Sequence, residues 1–262
     1  RNAVEEMDPT AMTLSAQAGT PLQVLQEAAA EHDLFVPLDL GARGSCMIGG
    51  NVATNAGGTE VIRYGMTRSM VLGLEVVLAD GTVVSSMNKM VKNNSGYDLK
   101  HLFIGSEGTL GIVTRVVLQL QPKSRGTHTA LCTLDSYAAC TQLLNELKRS
   151  LGSGLTGFEL MWDSYYDKVI EVLPNLTSPF AESHPYYLLV EYKDNDLLSG
   201  GQRFESTLVA SLETGLLTDA LIAQSHQDAA TFWAIRDGIG ELFQVLGPVS
   251  NQDVSLPVTD IG

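Results

Sequence analysis

Between Gly41 and Gly58 the chain reads GARGSCMIGGNVATNAGG, with five glycines ahead of Gly58 and no helical period before Asn51. The composition predicts a long loop that enters a short helix near Asn51 to Asn55. Gly49-Gly50-Asn51 then precede a helix start, where backbone N–H groups lack intrahelical partners and point out of the turn. Glycine lets a ligand approach the main chain closely and permits positive φ. Such a loop suits a pyrophosphate or a planar ring that takes main-chain hydrogen bonds. Ser45, Thr54 and Asn55 offer side-chain bonds in addition. A tight structural loop without a ligand is an equally good reading of the glycines alone.

Elements on either side follow from periodicity and punctuation. Thr13 to Gly19 reads as a short strand and Pro21 to Glu31 as a helix, with Thr20 as N-cap and Pro21 in the first turn. Leu72 to Ala79 and Thr82 to Ser85 are strands joined by an Asp80-Gly81 hairpin turn. Asp98 is expected to cap a short helix, Leu99 to Ile104. Gly105 to Gly111 forms a second glycine loop, which runs into the alternating, β-branched strand Ile112 to Leu120. Pro122 to Gly126 reads as a linker, which sets domains at 1–124 and 125–262.

Beyond the linker the expected strands are Thr127–Leu134, Leu155–Met161, Pro185–Tyr192 and Leu216–Ala223. The helices between them are Ser136–Ser150, Trp162–Leu173 and Leu198–Leu212. Without the middle helix this is β-α-β-β-α-β, a ferredoxin-like antiparallel sheet with helices on one face. One long helix, Gln227 to Leu246, and a last strand, Val249 to Ser255, complete the expectation. The fold class is therefore α+β.

Composition narrows the function. Apolar residues make up 44% of the 262 and charged residues 18%, enough for a real core. A net charge of −14 without any Lys/Arg cluster argues against nucleic acid as a partner. No apolar run is long enough to span a membrane. Cys46, Cys132 and Cys140 lack the spacing of a metal knuckle and read as reduced thiols, which suits a cytoplasmic protein. No G-x-G-x-x-G follows a strand, and Gly-Lys-Ser/Thr, His-Glu-x-x-His, Cys-x-x-Cys and Gly-x-Ser-x-Gly are all missing. That removes the simple readings as Rossmann domain, P-loop, zincin, zinc ribbon and α/β-hydrolase.

Several motifs occur together in order. They are PLDLGARGSCMIGGNVATNAGG from Pro37, the RYG of Arg63 to Gly65, VLGLEVVLADGTVV, NNSGYDLKHLFIGSEGTLGIVT and LQPK. This series closely resembles the flavin-binding half of the vanillyl-alcohol-oxidase-type (PCMH-type) flavoproteins, in their D-2-hydroxyglutarate, D-lactate and glycolate dehydrogenase branch. FELMW, EY, TFWAIRD and DVSLP resemble that branch's substrate-side domain, less tightly. The resemblance implies the second α/β subdomain of an FAD-binding domain followed by a substrate (cap) domain. It implies FAD as cofactor, a 2-hydroxy acid as substrate and oxidation to the 2-oxo acid. The electron acceptor is unnamed and a homodimer is left open. The location is read as cytoplasmic, or mitochondrial for a eukaryotic source.

The resemblance also carries residue roles. The loop from Pro37 through Gly44, Ser45, Gly49 and Gly50 to Asn51 would run along the flavin. Thr54, Asn55, Gly57 and Gly58 would lie near the ring and pyrophosphate. Glu107, Gly108, Gly111 and Ile112 would close over the adenine or ribityl side. Arg236 of WAIRD would hold the substrate carboxylate, a task that suits a planar fork of donors; from the residue alone, a surface arginine paired with Asp or Glu is the plainer reading. Two positions depart from the 2-hydroxyglutarate pattern. Gly240 stands for a hydroxyl residue and Asn251 for a lysine, which favours a monocarboxylate or another 2-hydroxy acid. No metal site is expected within this chain. The branch's divalent-metal and base histidines belong to a segment after Pro257, and its first pyrophosphate loop to one before Arg1. A fragment that folds without flavin, and an oxidase of the same fold acting on another alcohol or sugar, are the rival readings.

His32, His101, His128, His184 and His226 fall at no metal-ligand spacing and read as surface or satisfied histidines. Trp162, Trp233 and the pairs Tyr165-Tyr166 and Tyr186-Tyr187 read as core.

Overall fold

The computed structural model describes residues 2–196, 199–250 and 252–262. The chain folds as two compact units that divide between Lys123 and Ser124.

The first unit is built on an antiparallel sheet. Its strands are β1 (Val4–Asp8), β2 (Thr13–Gln17), β4 (Val71–Val77), β5 (Val83–Ser86) and β6 (Ile112–Gln119), in the order β1-β2-β6-β4-β5. A separate two-stranded piece pairs β3 (Leu34–Phe35) with β7 (Gln121–Pro122). β6 is central, and its Val116, Val117 and Leu118 are fully buried. The Asp80-Gly81 turn forms as expected. Gly81 has φ +85, and the Thr82 N–H donates to Asp80 Oδ1 at 2.9 Å. That bond holds the Asp80 carboxyl below the usual carboxylate range.

Helix α1 (Leu22–Ala30) buries Leu22, Leu25 and Ala29, one stripe at helical spacing. Its N-cap is Pro21 rather than Thr20. Thr20 is fully buried, and the first-turn amides of Leu22, Gln23 and Val24 donate instead to the carbonyls of Cys46, Arg43 and Pro21. Four short helices complete the unit: α2 (Ile48–Ala53), α3 (Val61–Tyr64), α4 (Thr67–Met70) and α5 (Lys100–Phe103). α2 starts three residues earlier than the glycines suggest, because Met47 is already extended and acts as its N-cap. α5 has Leu99 as N-cap with no side-chain bond; the Asp98 carboxylate pairs instead with Lys100.

The second unit carries β8 (Gly126–Leu134), α6 (Tyr137–Leu151), β9 (Leu155–Trp162), α7 (Asp163–Val172), β10 (Tyr186–Asp194), α8 (Gly200–Glu213) and β11 (Asp219–Ile222). α9 (His226–Asp237) and α10 (Ile239–Leu246) follow. The strands pair antiparallel in the order β11-β8-β10-β9, the arrangement expected of the β-α-β-β-α-β series. Ser136 caps α6 by accepting from the Ala139 N–H at 3.1 Å. Leu198, the expected start of α8, lies outside the described residues.

Three expectations fail here. Helices were expected on one face, yet both faces are covered: α6 and α8 pack on one, and α7 and α9 on the other. This explains why the last six residues of β8 and six in a row in β10 are buried rather than alternating. Second, the single helix Gln227 to Leu246 is broken at Gly238, whose ψ of −1° ends α9. A Cβ there would stand 3.0 Å from both Val169 and Leu173, so the glycine lets the chain close against α7. Third, no strand forms over 249–255 among the described residues. Val249 and Val254 are exposed.

Cys132 and Cys140 are buried. Burial pushes the Cys132 thiol up to about 12 and the Cys140 thiol up to about 11. The thiolate is the reactive form. In the folded protein at mildly alkaline pH, a thiol reagent should therefore label Cys46 and spare the other two until denaturant is added. Mass mapping of the labelled cysteines checks this, and fast native labelling of Cys132 would contradict it.

Candidate functional site

The glycine-rich stretch is fastened to the first unit by its own backbone. The Leu22 N–H donates to the Cys46 carbonyl and the Gln23 N–H to the Arg43 carbonyl, each at 3.0 Å. In the first turn of α2, the Ile48 N–H donates to Thr20 O at 3.0 Å and the Gly49 N–H to Ala18 O at 2.8 Å. Of the three amides expected to be free, that of Gly49 is thus taken by the body of the unit, and that of Asn51 donates to Met47 O at 3.0 Å. The Gly50 N–H makes no hydrogen bond among the described residues.

The glycines do two different jobs. A Cβ at Gly49 would stand 2.6 Å from Ala18 Cβ, at Gly57 2.6 Å from Met66 Sδ, and at Gly58 2.1 Å from the Asp39 carbonyl oxygen. At Gly111 it would stand 2.7 Å from Val76. These four glycines permit close packing of the protein on itself. Gly41 and Gly50 meet nothing within 4 Å, and Gly44 meets the Gln23 side-chain amide. Here the main chain is open to an approaching group. Positive φ, expected of the first glycine run, falls instead on Asn55 (+50), Gly105 (+84), Glu107 (+50) and Gly108 (+79). Asn tolerates the left-handed region better than most residues; Glu107 is strained there.

The two loops are clasped together. The Gly105 N–H donates to Val52 O at 3.1 Å and the Glu107 N–H to Ala53 O at 2.9 Å. The Arg68 N–H donates to Asn55 Oδ1 at 2.9 Å. Its guanidinium donates to His101 O at 2.8 Å and to Ile104 O. Buried Thr67 donates twice to Ala56 O. Arg68 was not singled out in the sequence, since its partners are carbonyls remote along the chain. It also lines a cavity of about 420 Å³ with Ser69, Asp98, Lys100 and His101. Burial holds the His101 imidazole below its ordinary value, although Asp98 pulls the other way.

The remaining residues divide by exposure. Pro37 is buried in the unit and Asn51 is buried with its amide 3.6 Å from Cys46 Sγ. The Ser45 hydroxyl donates to Ala42 O and the Thr54 hydroxyl to Gly50 O. Glu107 is exposed, and so are the apolar side chains of Leu110 and Ile112. The structure thus brings Thr54, Asn55, Gly105, Glu107 and Gly108 to one clasp, while Pro37 and Asn51 serve the packing beneath it.

In the second unit, Arg236 ends α9 beside a cavity of about 380 Å³ walled by Leu160, Met161, Trp162, Tyr165 and Ile239. Arg236 Nε donates to Glu159 Oε2 at 2.8 Å, and Nη2 lies 2.6 Å from the same oxygen. Nη1 donates to Asp237 Oδ1 at 3.0 Å. Burial disfavours the charged guanidinium, but Glu159 and Asp237 outweigh it and raise its pKa. The Tyr165 hydroxyl donates to the carbonyls of Ile235 and Arg236, which fixes the end of α9. Burial pushes this phenol up to about 12. Trp162, expected in the core, is 39% exposed and forms part of the cavity wall; as the last residue of β9 it falls past the cover of the helices. Glu159, Trp162, Tyr165 and Ile239 were missed as site residues. The only signal was their place in FELMW and next to WAIRD. Gly240 has open space around it, and Asn251 lies outside the described residues. No group of three or more His, Cys, Asp or Glu could hold a metal among the described residues. No described helix is long and apolar enough to cross a membrane.

The chain has close counterparts among known proteins. The family described as FAD binding domain matches residues 1–86, and that described as FAD linked oxidases, C-terminal domain, matches residues 123–262. The chain belongs to the FAD-linked oxidases, with an FAD-binding domain followed by their C-terminal domain. It is 44% identical over 260 residues to the mitochondrial D-2-hydroxyglutarate dehydrogenase of Arabidopsis thaliana, which covers 99% of this chain and 46% of that protein. It is 41% identical to the D-2-hydroxyglutarate dehydrogenase of Xanthomonas citri pv. viticola, over 94% of this chain and 51% of the relative. The chain therefore spans about half the length of the curated relatives it matches. A solved alkyldihydroxyacetonephosphate synthase shares the fold, with a TM-score of 0.70 at 18% identity over 92% of this chain and 46% of that one. The expectation of a cytoplasmic location is overturned: the relatives from Arabidopsis thaliana, Oryza sativa, Rattus norvegicus and Bos taurus are named as mitochondrial.

The split among the glycines gives a direct test. Gly58→Ala forces a Cβ into a backbone carbonyl and should lower the thermal midpoint by about 4 °C or more. Gly50→Ala meets nothing and should leave the midpoint unchanged or slightly raised. Equal losses in a thermal melt would contradict the assignment.

Proposed function

We propose that this chain is part of a flavoprotein that oxidises a D-2-hydroxy acid to the 2-oxo acid with FAD. The observation that carries the reading is the pair of clasped glycine loops, with an unpaired Gly50 amide and open backbone at Gly41 and Gly50, in an FAD-binding family. The residues fit the cofactor in that respect. Gly44, Ser45, Gly50, Thr54 and Asn55 would meet it from the first loop and Glu107, Gly108 and Ile112 from the second. Gly49, Gly57, Gly58, Gly111, Pro37 and Asn51 would act beneath them, by keeping the loop in shape. FAD, when bound, would supply the acceptor for the hydride that leaves the substrate Cα.

The chain's own part in the reaction is binding and orientation. Arg236 would take the substrate carboxylate on the donors that Glu159 and Asp237 leave free, and so hold the Cα–H in one direction. Tyr165, by bonding the Ile235 and Arg236 carbonyls, would keep the arginine's backbone from shifting. With its hydroxyl spent as a donor and its pKa raised, Tyr165 is unsuited to remove the hydroxyl proton. That role is assigned to no residue of the pocket.

The test uses the whole flavoprotein, mixed without oxygen with a panel of D-2-hydroxy acids. Bleaching of the bound flavin by at least one of them is expected. Arg236→Ala should raise KM by about tenfold or more, and Arg236→Lys should only partly restore it, because the planar fork is lost. A flavin that none of the acids bleaches, or an unchanged KM, would refute the reading.

A further inference from the structure

We infer that Glu191 is a positioning residue for the reaction: through Trp233 it fixes helix α9, and so the direction in which Arg236 presents its guanidinium. The inference rests on the reading of Arg236 as the carboxylate anchor.

A buried carboxylate calls for a cause. Glu191 is 7% exposed and stands in β10 among the buried Leu189, Val190 and Tyr192. Taking an ionised group out of water costs free energy that only good partners offset, and an apolar residue often serves stability as well. Three partners meet this one. Trp233 Nε1 donates to Oε2 at 3.1 Å. The Thr156 hydroxyl donates to Oε1 at 3.3 Å, a bond shared with the Glu191 carbonyl oxygen. Lys193 Nζ stands 3.0 Å from Oε1.

The neighbouring strand is shaped for this group. Gly157 pairs with Glu191 and Leu155 with Tyr192, so Thr156 is the extra residue of a bulge. Bulges re-aim side chains, and fully buried Thr156 is turned to Glu191. A Cβ on Gly157 would lie 3.0 Å from Glu191 Cβ, so the glycine leaves the carboxylate its room.

The link to Arg236 runs along α9. Trp233 and Arg236 are three residues apart and share a helix face. Glu159 pairs with Leu189, two residues from the Gly157–Glu191 pair, so Glu159 and Glu191 project from one face of the sheet. Each takes a donor from α9: Glu191 the indole N–H, Glu159 the guanidinium. One such contact would let the helix roll about it. Two, on adjacent strands, set both its rotation and its advance along the sheet. The Trp233 contact therefore holds α9 in place while the guanidinium engages a carboxylate. Such placement matters, since a shift of about 1 Å at an anchoring group can cost on the order of 100-fold in rate.

The test is kinetic and uses the whole flavoprotein. Its substrate is whichever acid reduces the flavin best, from a panel headed by D-2-hydroxyglutarate and D-lactate. Glu191→Leu removes the acceptor and puts an apolar group in its place. Trp233→Phe removes the donor and keeps a ring. Each should raise KM by about tenfold with the flavin still bound. Glu191→Gln still offers an oxygen to the indole and should stay within about threefold of the parent. In an Arg236→Ala background neither Glu191→Leu nor Trp233→Phe should raise KM further, because the group they position is gone. A merely structural role would add its loss in both backgrounds. A folded Trp233→Phe with unchanged KM, or an equal further rise over Arg236→Ala, would overturn the inference and leave the reading of Arg236 intact. If Arg236→Ala itself leaves KM unchanged, or no acid reduces the flavin, the underlying reading fails and this one with it. Should Glu191→Leu not fold, Trp233→Phe decides alone.

Discussion

The candidate cofactor site depends on the clasp between its two loops. The Gly105 and Glu107 amides donate to the carbonyls of Val52 and Ala53 at the end of α2, and Arg68 crosses from one loop to the other. The first loop is fastened to the body of the unit, but the second, with Gly105, Glu107, Thr109 and Leu110 exposed, would alone sample many conformations. Backbone bonds from one to the other remove that freedom. The strained, left-handed Glu107 is part of the arrangement. Such a conformation persists only where the surroundings over-determine it, and the Glu107 amide bond to Ala53 is one of those constraints.

This gives the glycines of 41–58 a sharper meaning than their number. Glycine is needed at Gly49, Gly57 and Gly58 because the chain passes close to itself. It is needed for no internal reason at Gly41 and Gly50. An internal packing role and an open face sit side by side within one stretch. The same contrast recurs in the second unit, where Gly238 closes against α7 and Gly240 touches nothing.

Much of the scaffold was legible because its causes are local. β6 announces itself by β-branched alternation, the Asp80-Gly81 turn by its residue pair, and α6 by the Ser136 cap. Strand order in the second unit followed from the β-α-β-β-α-β series. What could not be read has distant causes. The break at Gly238 depends on Val169 and Leu173 across the unit. The clasp by Arg68 depends on carbonyls that carry no sequence signature. The pairing of Arg236 with Glu159 joins β9 to α9, and it turned a residue expected to await a ligand into one already partly engaged. The motif resemblance marked the two loops and Arg236; it did not mark the walls around the arginine.

The central claim is that the open face at Gly50 is where the flavin lies. The most direct measurement is the flavin content of the whole protein carrying Gly50→Leu, taken from its visible absorbance after purification, beside its thermal midpoint. A folded, equally stable and colourless variant is the predicted result. A variant that is as stable and as yellow as the parent would contradict the account, since it would place the cofactor away from this loop.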